Sequence, residues 1–129
     1  MTSPEWIAKT TVLAIHDEQL AEHGGQSNIR DEGLLDSALA RPQNQFAYGD
    51  DPDLCDLAAA YAFGIAKNHP FVDGNKRVSF VVSETFLNLN DLDLTATDEQ
   101  ACGIWLDLAD GKIGEKELAQ WFRSNTKPL

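Results

Sequence analysis

A ten-residue stretch contains the residue types that transfer of a phosphate-containing group requires. It runs from Asn68 to Arg77 and reads Asn-His-Pro-Phe-Val-Asp-Gly-Asn-Lys-Arg. His69 is a candidate general base, because an imidazole exchanges protons near neutral pH. Asp73 is a candidate Mg²⁺ ligand, because Mg²⁺ in proteins usually binds one or two carboxylates together with substrate phosphates. A base and a metal ligand are thus close together in one stretch.

The second half of the stretch predicts an anion-binding site. Gly74 is able to adopt positive φ and let a phosphate approach the backbone, and Asn75 carries an amide donor. Lys76 and Arg77 follow in the first turn of a predicted helix, where unpaired N–H groups and the positive end of the helix dipole attract anions. Two cations there are unfavourable unless an anion joins them. Each residue alone is typical of a capping turn or a solvated surface; their combination favours a phosphate site.

Two helices are predicted to hold this stretch between them. Apolar residues at helical spacing precede it, namely Leu54, Leu57, Ala58, Tyr61 and Ile65. A second apolar stripe follows it, formed by Val78, Val81, Val82, Thr85, Phe86 and Leu89. Alternation in the second segment also permits a strand, but the helical period extends further along the chain, so a helix is favoured. Phe71 is predicted to be a core anchor that has no chemical role.

The pattern His-Pro-Phe-x-Asp-Gly-Asn-Lys-Arg resembles the motif of the Fic/Doc family, and specifically its Doc (death-on-curing) toxin branch. Segments outside the loop are also similar, among them Ala14–Asp17, Ile29–Asp31 and Arg41–Gln43. Family members with glycine at the position of Lys76 mostly transfer AMP from ATP to a hydroxyl. The Doc branch instead phosphorylates a threonine of elongation factor Tu. Lys76 therefore indicates the Doc branch.

This resemblance implies a toxin kinase that uses ATP and Mg²⁺ to phosphorylate a threonine or serine hydroxyl and so arrests translation. It implies that His69 is the base, that Asp73 holds Mg²⁺, and that the segment from Gly74 through Asn75 and Lys76 to Arg77 holds the phosphates. The alternatives are AMP transfer to a protein hydroxyl and a non-catalytic helical binding module. Two departures from relatives, Asn28 for glycine and Val78 for threonine, remove at most one hydroxyl contact.

The resemblance also implies a restraining partner. An active modifier of an essential factor would poison its own cell, and the chain shows no match to the inhibitory helix of other family members. We therefore expect a separate, Phd-like antitoxin, whose disordered C-terminal segment folds into a groove on the toxin.

Composition limits the other functions. The 129-residue chain carries a net charge of −11 with only ten basic residues, which argues against a nucleic-acid partner. No signal peptide or membrane-spanning run is evident, so a cytoplasmic protein without membrane contact is expected. Cys55 and Cys102 lie among apolar residues and are predicted to be buried free thiols.

The remaining segments complete a compact, single-domain, all-α bundle over residues 1–129. Helices are predicted over 9–22, from Asp31 to a stop at Pro42, after a Thr97–Gln100 capping box, and over 115–123. His16 is predicted to be a packed core histidine outside the site.

Two segments are predicted to be non-helical. Residues 42–52, in which Phe46 and Tyr48 alternate with polar neighbours, are predicted to form a small flap or hairpin, or else an inert connection. The family resemblance implies that this flap, with Phe46 and Tyr48, docks the target beside the loop. The tail 124–129 is expected to be loose.

Overall fold

The computed structural model describes residues 2–129 and consists mainly of helices. The elements in chain order are α1 Lys9–His23, α2 Glu32–Tyr48, α3 Leu54–Asn68, α4 Asn75–Leu89, β1 Leu92–Leu94, α5 Asp98–Ala109, α6 Glu115–Ser124 and β2 Thr126–Pro128. The predicted helical bundle is confirmed. Within residues 2–129, none of the helices is both long and apolar enough to cross a bilayer.

Helix α3 lies at the centre of the bundle. Ten of its 15 residues are buried, and it packs against α2, α4 and α6. Small residues make this close packing possible. A Cβ on Gly64 would lie 3.3 Å from the Ala38 backbone, so any larger residue would push α2 away. The loop that carries the predicted site residues therefore follows directly after the most buried helix of the fold.

Side-chain caps fix where several helices begin. Asp31 accepts a hydrogen bond from the Leu34 N–H at the start of α2, as predicted. Thr97 forms the predicted capping box with Gln100 at the start of α5. These caps accept hydrogen bonds from N–H groups in the first turn of each helix, which have no carbonyl partner within the helix.

A further cap joins the start of α3 to the last helix, α6. Asp53 and Asp56 form a capping box at the start of α3, and the Arg123 guanidinium of α6 donates to both carboxylates at 2.9–3.1 Å. Burial favours a higher pKa for Asp56, but the Asp53 N–H and Arg123 outweigh it and lower that pKa. The last helix is thereby fastened to the central one.

Helix α2 does not stop at Pro42, so the predicted flap or hairpin over 42–52 is wrong. The helix continues to Tyr48 with Pro42 inside it. Pro42 shares the buried face of α2 with Leu35 and Ala38, so its packing offsets the backbone hydrogen bond that proline cannot donate. The ring of Phe46 packs edge-on against the core at Trp6, with 5.7 Å between centroids, whereas Tyr48 is 87% exposed.

The C-terminal tail is not loose, contrary to prediction. Strand β2 pairs antiparallel with β1, in the register Leu92–Pro128 to Leu94–Thr126. The Thr95 N–H donates to the Asn125 carbonyl oxygen at 2.6 Å, which extends the pairing. Strands of three residues are too short to show alternation, which is why the sequence pattern missed them.

The two cysteines differ in their surroundings. Both are free thiols, as predicted, but only Cys55 is buried, whereas Cys102 is exposed. Burial raises the pKa of the Cys55 thiol, so this group stays protonated and unreactive at neutral pH.

The Arg123 contact generates a stability prediction. We expect Arg123→Met to lower the free energy of unfolding by roughly 0.5–1 kcal/mol at pH 7, since it removes a partly exposed ion pair. The folded-state pKa of Asp56 is lowered, so this stabilisation is present above its unfolded-state pKa and is lost as the pH falls through the folded-state value. Urea unfolding at pH 7 and at low pH measures the difference.

Lys116→Met is the matched control, because Lys116 is exposed on the same helix and makes no ion pair within residues 2–129. A loss of equal size in both variants, or a loss from Arg123→Met that does not change with pH, would contradict the proposed contribution.

Candidate functional site

The loop between α3 and α4 turns at two left-handed residues. His69 is the C-cap of α3, with φ 48° and ψ 56°, and Gly74 is the N-cap of α4, with φ 84°. Glycine adopts this conformation without strain, but for histidine it costs about 1–2 kcal/mol. His69 is therefore held in place by its neighbours.

Arg30 is the first of these neighbours. Its Nε donates to the His69 carbonyl oxygen at 2.7 Å, and its Nη2 donates to the Asn68 carbonyl oxygen at 2.8 Å. These carbonyls end α3, where no partner within the helix is available and the dipole is negative. The guanidinium thus satisfies two acceptors and fixes the backbone of His69. In the sequence, Arg30 is apparent only as part of the family resemblance.

The backbone of the α1–α2 connection also pairs with the loop. Ile29 and Phe71 form an antiparallel bridge. The Arg30 N–H donates to the Pro70 carbonyl oxygen at 2.7 Å, and the Val72 N–H donates to the Asn28 carbonyl oxygen at 3.0 Å. The connection and the loop therefore form one unit, although they are distant in sequence.

Asn75 closes the loop from within. Its Oδ1 accepts from the Phe71 N–H at 3.0 Å, and its Nδ2 donates to the Phe71 carbonyl oxygen at 2.9 Å. The same Nδ2 lies 3.4 Å from Nδ1 of His69, so it also restricts the imidazole. The side chain is buried and fixes the loop shape. Donation from this amide to a phosphate stays a prediction.

The rings of Phe71 and His16 pack against each other on the buried side of the loop. Phe71 is 1% exposed, which confirms it as a core anchor. The His16 ring stacks on it, with centroids 3.8 Å apart and an interplanar angle of 14°. His16 is a packed core histidine, as predicted, but it also contacts the loop, because its Nε2 lies 3.0 Å from the Asp73 carbonyl oxygen.

Asp73 presents its carboxylate at the surface of the loop. Its Oδ2 accepts from the Gln26 N–H at 2.9 Å. Residues 2–129 contain no cluster of three or more His, Cys, Asp or Glu side chains able to hold a metal by themselves. A single carboxylate suits Mg²⁺ that also binds nucleotide phosphates and water. Asp73 therefore fits a metal that arrives with a nucleotide.

The start of α4 has the features of the predicted anion site. The first intrahelical bond runs from the Val78 N–H to the Gly74 carbonyl oxygen at 2.9 Å, so the preceding N–H groups have no partner within the helix. Gly74 provides no side-chain cap for them. Lys76 and Arg77 are exposed and form no ion pair within the described residues 2–129. Donors and cations are thus available to an anion.

One cleft of about 780 Å³ brings these residues together. It is lined by all six predicted site residues of the loop, namely His69, Asp73, Gly74, Asn75, Lys76 and Arg77. Its apolar part comes from α4 and α5, and includes Phe80, Val81, Ala101, Trp105 and Leu106. This volume is typical of small-ligand sites.

Two predicted residues lie outside the cleft. Phe46 and Tyr48, expected to dock the target, are not among its lining residues. The contribution of α5 is not apparent from the sequence, because its apolar positions are equally typical of core packing. Trp105 is held there by its indole N–H, which donates to the Ser79 hydroxyl oxygen at 2.9 Å.

Two named proteins are similar to this chain in sequence. A "Toxin Doc" of Mycolicibacterium smegmatis is 49% identical over 75 residues, which cover 57% of this chain and 57% of that protein. A "Protein kinase doc" of Escherichia phage P1 is 28% identical over 117 residues, which cover 91% of this chain and 92% of that protein. Both carry the name Doc, which agrees with the Doc branch that the sequence motif indicates.

The family assignment rests on a match that includes the whole loop. Residues 6–87 match the model of the Fic/DOC family. This range runs from before α1 nearly to the end of α4, and so contains the α1–α2 connection as well as the loop that it holds. The chain belongs to the Fic/Doc family.

Proposed function

We propose that this chain is a Doc-type toxin kinase that transfers a phosphate from ATP to a threonine or serine hydroxyl of a protein. The observation that carries the proposal is that His69, Asp73 and the start of α4 line one cleft. The phage P1 relative, whose alignment covers 91% of this chain, bears the name of a protein kinase and supports the same reaction.

His69 acts as the general base in this proposal. It takes the proton of the target hydroxyl while the hydroxyl oxygen forms a bond to the γ-phosphorus and the bond from that phosphorus to the ADP oxygen breaks. The imidazole is exposed at the cleft, whereas its backbone is fixed by Arg30. An exposed ring on a fixed backbone suits a base that meets a protein substrate.

The start of α4 binds the transferring phosphate. Its unpaired N–H groups, together with Lys76 and Arg77, stabilise the charge that the phosphoryl oxygens carry in the transition state. Asp73 would hold Mg²⁺, which neutralises nucleotide phosphates when it is bound. The apolar side of the cleft, at α5, offers a surface for the nucleoside.

Lys76 supports phosphate transfer over AMP transfer. Family members that transfer AMP mostly have glycine at this position, which leaves room beside the anion site. A lysine side chain occupies that room and adds a positive charge, and so changes the position in which a triphosphate binds.

The target and the partner extend the same proposal. We infer that the substrate is elongation factor Tu, so that the reaction arrests translation in the cytoplasm. Restraint comes from a Phd-like antitoxin whose C-terminal segment folds into a groove on the toxin. The net charge of −11 favours a segment rich in lysine and arginine.

The general base is tested by His69→Ala. We expect phosphate transfer to fall by about 10²–10⁴-fold, because the variant lacks the proton acceptor. The helical circular dichroism signal and the melting temperature should stay close to those of the wild type, since the imidazole is exposed. A variant that transfers phosphate at the wild-type rate would exclude His69 as the base.

The type of transfer is tested with ATP labelled separately on the α- or the γ-phosphate, with purified elongation factor Tu as acceptor. We expect label from the γ position only. Lys76→Gly should lower that transfer by ~10²-fold, as removal of one stabilising group commonly does. Transfer of α label by the wild type would contradict the kinase, and absence of nucleotide binding at millimolar ATP would favour a binding module.

The need for a partner is tested in cells. We expect that strong expression of the wild-type gene alone cannot be maintained, whereas co-expression of the neighbouring open reading frame restores growth. His69→Ala is the control, because the inactive protein should be tolerated without a partner. Healthy growth with abundant, soluble wild-type protein and no partner would contradict a restrained toxin.

A further inference from the structure

His16 contacts the loop from below through one hydrogen bond. It lies on α1, is 2% exposed, and places Nε2 3.0 Å from the Asp73 carbonyl oxygen. A carbonyl oxygen only accepts hydrogen bonds, so Nε2 must carry the hydrogen and donate. The other buried residues of α1 are Val12, Ile15 and Leu20. His16 is thus the one buried residue of that helix able to donate from its side chain.

Packing alone does not account for this histidine. An apolar ring of similar size would also stack on Phe71, as His16 does at 3.8 Å. Burial of an imidazole is unfavourable unless its polar atoms are paired. The feature that distinguishes His16 from such a ring is therefore the bond to the Asp73 backbone.

Asp73 is held from a second direction. Its Oδ2 accepts from the Gln26 N–H at 2.9 Å, so α1 holds the backbone while the α1–α2 connection holds the carboxylate. The two surfaces are in close contact, because a Cβ on Gly25 would lie 3.0 Å from the Asp73 Cβ. Together these contacts fix the orientation of the Asp73 carboxylate.

The hydrogen bond from His16 also lies at the boundary between Asp73, the proposed metal ligand, and Gly74, where the proposed phosphate site begins. Gly74 follows Asp73 directly and begins α4 with φ 84°. A Cβ on Gly74 would lie 3.7 Å from His16 Cδ2, so the imidazole packs beneath this residue too. Rotation of the Asp73–Gly74 peptide would therefore move the carboxylate and the first N–H groups of α4 at the same time.

We propose that His16 is a positioning residue: its Nε2–H holds the Asp73–Gly74 peptide so that the carboxylate and the start of α4 meet one Mg²⁺–nucleotide complex. This inference rests on the proposed function, since it concerns the same cleft. It assigns to His16 a role in ligand binding that is separate from its role in the core.

Two variants separate the bond from the packing. His16→Phe keeps a flat ring on Phe71 and removes the donor. His16→Gln removes the ring but keeps an N–H donor on a side chain of similar reach. Tyr61→Phe is the matched control, because it removes a different buried hydrogen bond, in which the Tyr61 hydroxyl oxygen accepts from the Ile7 N–H at 3.1 Å.

Calorimetry with Mg²⁺ and ATP measures the effect without catalysis. We expect His16→Phe to bind Mg²⁺–ATP on the order of 10–100-fold more weakly than the wild type, as loss of a group that orients a metal ligand commonly does. His16→Gln should recover most of that affinity. Tyr61→Phe should lower the melting temperature but keep the wild-type affinity. Wild-type affinity in His16→Phe, or equal loss in His16→Gln and His16→Phe, would overturn the inference.

A second measurement keeps the test separate from the proposed function. If the wild type binds no Mg²⁺–ATP, the proposed function fails, and amide hydrogen exchange in the ligand-free protein then tests the positioning alone. The Asp73 and Gly74 amides should exchange faster in His16→Phe than in the wild type or in His16→Gln. Equal exchange in all three proteins would overturn the inference.

Discussion

The attachment of the α1–α2 connection to the α3–α4 loop is the constraint on which the site depends. A left-handed histidine and a helix start without a side-chain cap are both unfavourable by themselves. Arg30 offsets the first through hydrogen bonds to the last carbonyls of α3. The backbone bridge between Ile29 and Phe71 holds the loop against the same connection. These contacts hold the backbone of the loop from Asn68 to Val72, while the side chain of His69 stays exposed.

The electrostatics of the site differ from those of the rest of the protein. The chain as a whole carries a net charge of −11, yet Lys76 and Arg77 lie side by side at the positive end of α4. An extended polyanion would meet repulsion from most of this surface, whereas a small phosphorylated ligand would meet only the local cations. Helix α5 supplies apolar residues to one wall of the cleft, and in the proposed function this wall contacts the nucleoside. The proposed binding of a nucleotide therefore rests on the local charge at the start of α4 and not on the net charge of the chain.

The sequence predicted those features that depend on neighbouring residues and missed those that depend on distant ones. The helices around the loop, the Asp31 and Thr97 caps and the Phe71 anchor follow from local spacing. Pro42 indicates a helix stop by local rules, which cannot show that it lies on a buried face. The partners of Arg30 and His16 lie 39 and 57 residues away, a separation that periodicity does not encode. The loop residues that line the cleft are neighbours in sequence, whereas Arg30, His16 and helix α5 reach the site only through the fold.

Phosphate transfer by this cleft is tested most directly by the fate of the nucleotide. A phosphorus NMR spectrum of the protein with Mg²⁺, ATP and an acceptor protein distinguishes the products without a label. If the start of α4 binds the transferring γ-phosphate, ADP and a protein phosphomonoester should accumulate together, with no pyrophosphate. Pyrophosphate that appears together with a protein phosphodiester would show AMP transfer, and would contradict the seating of ATP that Lys76 is proposed to enforce.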